Sequence, residues 1–155
     1  DLSPSRQRSE LLANAFQAAI LTFGEHGSGL RFLRSGWSQA EQWGTWMVGR
    51  EAVLELEVPP GLKDRSRLTV RLRAKAFVPR RLYGRSFVFI AGDDVVGNMA
   101  FWRPDQVLRL EFEIENPAGQ SMQLRIVANE EASPSEEGSS DQRDLGLALI
   151  DLAIY

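Results

Sequence analysis

Three of the four tryptophans in this 155-residue chain lie within ten positions, in the segment GWSQAEQWGTW at residues 36–46. Trp37, Trp43 and Trp46 could stack on sugars, because flat indoles suit the C–H faces of sugar rings. One stacked indole contributes about 1–3 kcal/mol by burial of its area. Indole N–H groups and the nearby Glu41 could then hold sugar hydroxyls. The same rings could instead fill the open end of a β-sandwich, so the segment is either a ligand-binding surface or a set of buried plugs.

Two further residues are secondary candidates for contact with a ligand, Trp102 and His26. His26 is the only histidine and lies in FGEHGSGL, where the surrounding glycines indicate a turn. The glycine spacing is not that of a dinucleotide-binding fingerprint, and no P-loop lysine follows it. The pattern therefore favours a turn over a catalytic or phosphate-binding role for His26, and we keep it with Trp102 as a secondary sugar contact.

The residue types present argue against an autonomous enzyme. The chain has no cysteine and one histidine, so a cysteine nucleophile is excluded and a zinc site would lack ligands. The GxSxG motif of serine hydrolases is also absent. We predict a module without catalytic residues. A cleft with two facing carboxylates would instead indicate a hydrolase or transferase that acts on glycans, because carboxyl separation defines such sites.

The segment NEEASPSEEGSSDQRD at residues 129–144, here called the acidic loop, has the composition of a disordered loop but contains two signals of order. Ser133 and Glu136 form a capping box with Pro134 at the first helical position. Asp141 is placed to accept backbone N–H groups in an Asx-turn. Oxygen ligands are plentiful, although the EF-hand pattern is missing. We expect no cofactor, with a structural calcium ion in this loop as the alternative.

A second capping box lies inside the tryptophan-rich segment. Ser38 and Glu41 have the required spacing, which predicts one helical turn over residues 38–43. Gly44 would then let the chain turn sharply into a strand that begins near Trp46.

Alternating apolar and polar residues predict β-strands along most of the chain. They cover residues 52–58, 67–77, 107–115, 121–128 and 145–155, with a hairpin of residues 86–92 and 95–102 around Asp93. Short strands with turn signals every ten residues or so predict an all-β, antiparallel β-sandwich. An amphipathic helix is predicted over residues 9–20. We therefore divide the chain into a linker or N-terminal helix at residues 1–19 and a β-sandwich module at residues 20–155.

Charge restricts the partners. The formal net charge is −3, whereas a nucleic-acid binder normally shows a basic surface, so we expect no nucleic acid partner. The predicted strand at 67–77 directs four basic residues to one face, namely Arg67, Arg71, Arg73 and Lys75. These could bind an anionic ligand. A solvated, salt-bridged face is the better interpretation, because glutamates alternate on neighbouring strands at Glu55, Glu57, Glu111, Glu113 and Glu115.

The start of the chain and its hydropathy give expectations about its context. No run of eighteen apolar residues occurs, so this fragment is not expected to insert into a membrane. The first ten residues are polar and do not resemble a signal peptide. The chain begins at Asp1 without an initiator methionine, which we interpret as a segment cut from a longer protein.

The two motif-rich segments resemble a C-terminal β-sandwich module of bacterial cell-envelope proteins. The first family motif falls on Gly36, Trp37, Ser38, Glu41, Trp43, Gly44, Trp46, Gly49 and Ala52. The second falls on Ser133, Pro134, Gly138, Ser140, Asp141, Arg143, Leu145 and Gly146. The resemblance covers residues 20–155.

Such modules are appended to glycosyltransferases, phosphoglycerol transferases and other enzymes of surface or periplasmic glycans. The resemblance therefore implies a jelly-roll sandwich similar to carbohydrate-binding modules, with a glycan and the other domains of a parent envelope protein as partners. It implies a place in the bacterial cell envelope, periplasmic or membrane-associated, with the cytoplasmic face still open. We predict a non-catalytic glycan-binding module. The alternative is a purely structural or oligomerisation domain with buried tryptophans and no ligand.

Three charged motif positions are predicted to be structural. We expect the two motifs to meet in space, with a half-buried bidentate pair between Glu41 and Arg143 and with Asp141 capping backbone amides. Loss of one partner from such a pair would cost several kcal/mol.

Overall fold

Two antiparallel β-sheets enclose one apolar core, as the alternating sequence predicts. The computed structural model describes residues 19–118 and 121–155. Its strands are β1 (Ala19–Thr22), β2 (Thr45–Val48), β3 (Glu51–Leu56), β4 (Arg67–Ala76), β5 (Arg85–Ala91), β6 (Asp94–Phe101), β7 (Leu108–Glu115), β8 (Met122–Ala128) and β9 (Leu145–Ile154). Short 3-10 helices lie at Leu30–Phe32, Pro60–Leu62 and Pro134–Glu137. Within the described ranges, no helix has the length and apolar character needed to cross a membrane.

The strand order is that of a jelly roll. One sheet has the order β2-β9-β4-β7 and the other has the order β3-β8-β5-β6, so every connection from β2 onward except β5–β6 crosses between the sheets. The short strand β1 pairs with the end of β9, next to the stretch of β9 that pairs with β2. The predicted all-β sandwich and the hairpin around Asp93 are confirmed.

Strand β4 shows how the alternation builds the core. Its inward side chains, from Leu68 to Ala76 at every second position, are all buried. Full burial of a leucine such as Leu72 contributes about 1.5–3 kcal/mol. The partner sheet supplies aromatic side chains to the same core, including Phe87 and Phe89, which are fully buried.

The N-terminal helix predicted over residues 9–20 lies mostly outside the described residues. At its end the prediction is wrong, because Ala19 and Ile20 belong to β1, where they pair with Ile154 and Ala153 of β9. Pairing with the edge of β9 satisfies the backbone N–H and C=O groups of these two residues, so they extend the sheet instead of a helix.

The outer face of the β2-β9-β4-β7 sheet is salt-bridged, as predicted. Arg67 contacts Glu113 at 3.2 Å, and Arg71 contacts Glu111 at 2.8 Å. Glu55 does not join this ladder, because β3 belongs to the other sheet, and it pairs with Arg34 instead. The prediction that the glutamates lie on strands next to β4 is therefore confirmed for β7 and wrong for β3.

The acidic loop is folded down onto the sandwich. The predicted capping box at Ser133 is present, and Gly138 ends the turn in the left-handed conformation at φ 89°. Arg85, which is 1% exposed, donates to the carbonyl oxygens of Glu130, Phe77 and Leu145 at 2.8–3.1 Å. A buried guanidinium therefore ties this loop to two other segments.

Candidate functional site

The segment of residues 36–46, here called the tryptophan corner, is an ordered loop that leads into β2. Its backbone folds back on itself, since the Ser38 N–H donates to Trp46 O at 2.9 Å and the Glu41 N–H donates to Gly44 O at 2.8 Å. The helical turn predicted over residues 38–43 is wrong. The Ser38 hydroxyl does not cap a helix, because it accepts a hydrogen bond from Arg143 Nη1 at 2.8 Å.

Glycines let this loop lie flat against its neighbours. A Cβ on Gly24 would lie 2.3 Å from Gln42 O, and a Cβ on Gly44 would lie 2.6 Å from Leu149 O. The Glu25 N–H also donates to Glu41 O at 2.8 Å. The tryptophan corner is thus held by both the turn after β1 and strand β9, which fixes the positions of its side chains.

Trp37 is a plug. Its ring is half-buried and packs against the hydrophobic core, and its indole N–H donates to Val53 O at 2.9 Å. The N–H and most of the ring are thereby used inside the fold. Trp37 therefore has a structural role in the fold, and its role as a sugar contact stays a prediction.

Trp43 and Trp46 form an aromatic pair that is only partly covered. Their ring centroids are 5.6 Å apart with an interplanar angle of 88°, an edge-to-face arrangement. Both side chains keep an intermediate exposure. The Lys75 ammonium lies 3.5 Å from the Trp43 centroid and 5.8 Å from the Trp46 centroid. Cation–π attraction of about 0.5–2 kcal/mol holds the lysine over the Trp43 face.

A polar pocket of about 730 Å³ adjoins Trp43 of this pair. It is lined by Glu25, Ser38, Gln39, Ala40, Glu41, Gln42, Trp43 and Arg143. The side-chain amides of Gln39 and Gln42 are exposed. Each such amide offers two donors and one acceptor, the mixture that sugar hydroxyls require. An aromatic surface and convergent polar groups thus meet at one place.

The second motif supports the wall of this pocket. Arg143 binds Asp141 through Nε at 2.9 Å and Nη2 at 2.7 Å, and the Arg143 N–H donates to Asp141 Oδ1 at 3.1 Å. Hydrogen bonds from the Arg143 side chain, and then from its backbone, lower the pKa of Asp141 to about 2. The bond to Asp141 likewise raises the pKa of Arg143. The Asx-turn predicted at Asp141 is confirmed.

The predicted pair of Glu41 and Arg143 forms only a loose contact. The two motifs do meet, but Glu41 Oε2 lies 3.9 Å from Arg143 Nη2, and this buried oxygen accepts no hydrogen bond within the described part of the chain. The bidentate geometry belongs to Asp141, because a partner two residues away in an Asx-turn can align both oxygens with the guanidinium.

The two secondary candidates lie apart from the pocket. Trp102 follows β6 at the edge of the other sheet, opposite the edge formed by β2, and is 65% exposed. Its six-membered ring rests on Gly84, where a Cβ would approach to 2.9 Å. His26 is exposed in the turn after β1, with φ 61°, next to Glu25 of the pocket. The structure therefore groups His26, but not Trp102, near the tryptophan corner.

Sequence reasoning missed Gln39 and Gln42 as members of the site, and it considered Lys75 only as part of a basic face that could bind an anion. The register explains Lys75, because Trp46 and Lys75 both pair with Ala148 from opposite sides of β9. Residues so placed share one face of the sheet. The signal in the sequence for the contact of Lys75 with Trp43 is the alternation of β4, which predicts that Lys75 points outward.

A metal site is not assembled by the described residues, which contain no group of three or more His, Asp or Glu side chains suited to an ion. Carboxylates of the acidic loop face arginines instead. Glu136 binds Arg81 at 2.7 Å, and Asp141 binds Arg143. The calcium ion considered from composition therefore has no cluster of ligands there, because guanidinium groups occupy these oxygens.

Comparison with known proteins gives one family and a set of similar folds. A family model described as a domain of unknown function, DUF7024, matches residues 15–155. Among curated protein sequences, none matches the chain.

Three solved structures illustrate the fold similarity. Latent PorU from Porphyromonas gingivalis aligns with a TM-score of 0.56 at 10% identity, over 88% of this chain and 12% of PorU. The CBM36-1 domain of a xylanase from the hindgut metagenome of Trinervitermes trinervoides aligns at 0.48 and 10% identity, over 89% of this chain and 96% of that domain. The CBM22-1 xylan-binding domain of Xyn10C from Paenibacillus barcinonensis aligns at 0.48 and 13% identity, over 79% and 82%. At this identity the likeness to PorU shows the fold alone.

Proposed function

We propose that this chain, which belongs to the DUF7024 family, is a non-catalytic glycan-binding module whose site is the tryptophan corner. The observation that supports the proposal is the partly exposed pair of Trp43 and Trp46 beside a polar pocket. Sugar-binding sites need both features, because aromatic side chains stack on the sugar rings and polar groups bind the sugar hydroxyls and fix the orientation of the ligand.

The pocket is suited to binding without chemistry. Its two carboxylates come from Glu25 and Glu41, and Glu41 is drawn toward Arg143 at 3.9 Å. Glycoside hydrolysis needs two carboxyl groups that flank the scissile bond, and here one of the two faces a guanidinium. We therefore propose recognition, with any reaction performed by another part of a larger protein.

We also propose that the module is part of a larger enzyme. A domain that holds a glycan without cutting it is useful when joined to an enzyme that acts on the same glycan. In line with the motif resemblance, we propose a parent enzyme of the bacterial cell envelope, such as a glycosyltransferase or phosphoglycerol transferase. The chain spans 12% of PorU, so a fold of this kind also occurs as part of a long chain.

Binding is tested with the purified chain and a panel of bacterial surface and periplasmic oligosaccharides, followed by calorimetry and tryptophan fluorescence. We expect Trp43→Ala and Trp46→Ala each to weaken the affinity by about 5- to 150-fold, which corresponds to about 1–3 kcal/mol for a stacked ring. Trp102→Ala is the matched control, because it removes an exposed indole at the opposite edge.

Two results would contradict the proposal. If Trp102→Ala weakens binding as much as Trp43→Ala, the site lies elsewhere on the sandwich. If no glycan in the panel binds, and the emission of Trp102→Ala, which lacks the 65% exposed indole, is blue-shifted and protected from acrylamide, a structural or oligomerisation domain is favoured. The core-packed Trp37 already provides an example of such a buried tryptophan.

A further inference from the structure

A cluster of cations lies beside the tryptophan corner on the outer face of the β2-β9-β4-β7 sheet. It consists of Lys75, Arg73 and Arg109, here called the cationic patch. Arg73 and Arg109 are directly opposite each other in the register of β4 and β7. Lys75 is two residues further along β4, so all three side chains project from the same face.

The charge of this patch is not balanced by the fold. Arg73 binds Asp151, with Nε 3.0 Å from Oδ2. Lys75 and Arg109 have no carboxylate within ion-pair distance among residues 19–118 and 121–155. Three cations therefore share one anion, in a chain whose formal net charge is −3.

On the remainder of the same face, arginines and glutamates form balanced ion pairs. Arg67 pairs with Glu113 and Arg71 pairs with Glu111, each cation facing a glutamate on β7. At the next outward position on β7 the sequence places Arg109 opposite Arg73, and like charges directly across a strand pair are destabilising. The ladder thus changes from balanced pairs to excess positive charge at the end that approaches the indoles.

Lys75 joins this excess charge to the aromatic pair. Its ammonium lies over the Trp43 ring at 3.5 Å, and the ring contributes no hydrogen-bond acceptor, so the N–H donors of the ammonium stay available. A ligand that rests on Trp46 reaches Lys75 across Ala148, which lies between them and has no side chain beyond Cβ.

We infer that the glycan held at the tryptophan corner is acidic, and that the cationic patch binds an anionic substituent of its sugar rings. This inference rests on the proposed glycan-binding function and specifies the ligand class. Indoles hold the ring faces, while Lys75 and Arg109 hold a ring carboxylate or a phosphate. A neutral glycan would leave both cations without a counter-charge.

The test compares two ligands that differ only in charge, an oligogalacturonide and its methyl ester, with a phosphomannan oligosaccharide as a third probe. Binding to the purified chain is measured by calorimetry at low and high salt. We expect one or both acidic probes to bind about tenfold more tightly than the ester at low salt, with the difference reduced at high salt by screening. The third probe distinguishes a phosphate from a carboxylate as the recognised group.

Variants then locate the effect. Lys75→Gln and Arg109→Gln should each remove most of the preference for the acidic probe, while Lys75→Arg should retain it. Arg67→Gln is the matched control, because it removes a cation of the same strand that is already paired. Retention by Lys75→Arg separates loss of charge from disturbance of Trp43.

The outcomes distinguish this inference from the proposed function. If the ester binds as tightly as both acidic probes, the inference is wrong, whereas glycan binding stands. If the preference survives in Lys75→Gln and Arg109→Gln, the anionic group is recognised elsewhere and the inference is again wrong. If none of the three probes nor the wider oligosaccharide panel binds, both are overturned.

Discussion

Removal of the buried guanidinium of Arg85 should destabilise the whole sandwich, because three separate segments depend on it. Its Nη atoms donate to Phe77 O at 2.9 Å, Leu145 O at 3.1 Å and Glu130 O at 2.8 Å. Among residues 19–118 and 121–155 no carboxylate binds the guanidinium directly, and burial lowers the pKa of Arg85. The fold therefore accepts a desolvated charge in order to satisfy three backbone carbonyls.

The expected cost can be estimated for Arg85→Met, which keeps the unbranched apolar stem of the side chain but removes its donors. The Leu145 carbonyl contact is buried, and an acceptor left there without a donor costs about 1–3 kcal/mol. The Phe77 and Glu130 contacts are part-buried and lose less, since water can reach them. Relief from desolvating a charge offsets part of this loss. We expect a net destabilisation of about 3 kcal/mol, or about 6–12 °C in Tm for a chain of this size.

Urea unfolding monitored by tryptophan fluorescence measures this loss directly. Arg50→Met is the matched control, because exposed Arg50 makes a single bond to Asn129 O, at the start of the same loop, at 3.2 Å. We expect that control to stay within about 0.5 kcal/mol of the parent chain. A free energy of unfolding for Arg85→Met within about 1 kcal/mol of the parent would refute the role assigned to the three carbonyl bonds.

Two other predictions concern the tryptophan corner and its support. Trp37→Phe should lower the free energy of unfolding by about 0.5–1.5 kcal/mol in urea titrations, because the indole hydrogen bond to Val53 O is lost while the Arg34 N–H still donates to that carbonyl. Glycan affinity should stay unchanged, and a large loss of affinity would show that Trp37 touches the ligand. Because the folded pKa of Asp141 is lowered to about 2, its contribution to stability is present above the unfolded pKa of about 3.9 and is lost as the pH falls through about 2. Asp141→Asn should therefore be less stable than the parent at pH 5, and the two stability curves should converge toward pH 2; parallel curves would contradict the assignment.

Local sequence was sufficient to predict the strands and some turns. Period-two alternation located β4 and β7, because one face of each is buried and the other is solvated. The capping box at Ser133 and the Asx-turn at Asp141 were likewise predictable, since both devices join residues two or three positions apart. The capping box predicted at Ser38 is wrong, because the Ser38 hydroxyl accepts a hydrogen bond from Arg143, which is distant in the sequence.

The aromatic residues show where local information ends. Sequence spacing could not separate Trp37, which is packed on the core, from Trp43 and Trp46, which stay partly open. The difference depends on which side of the loop meets the sandwich. That in turn depends on contacts of the loop with Gly24 and with β9, and β9 lies about a hundred residues further along the chain.

The sequence by itself determined the alternation of buried and exposed residues, and with it the class of fold, because side-chain direction in a strand follows from the backbone. Tertiary structure alone decided which strands became neighbours. That choice placed Glu55 in the other sheet, set Arg109 opposite Arg73, and brought Lys75 over Trp43. Register between strands far apart in the chain is fixed by the packing of the whole core, so the candidate site exists only once both sheets have closed.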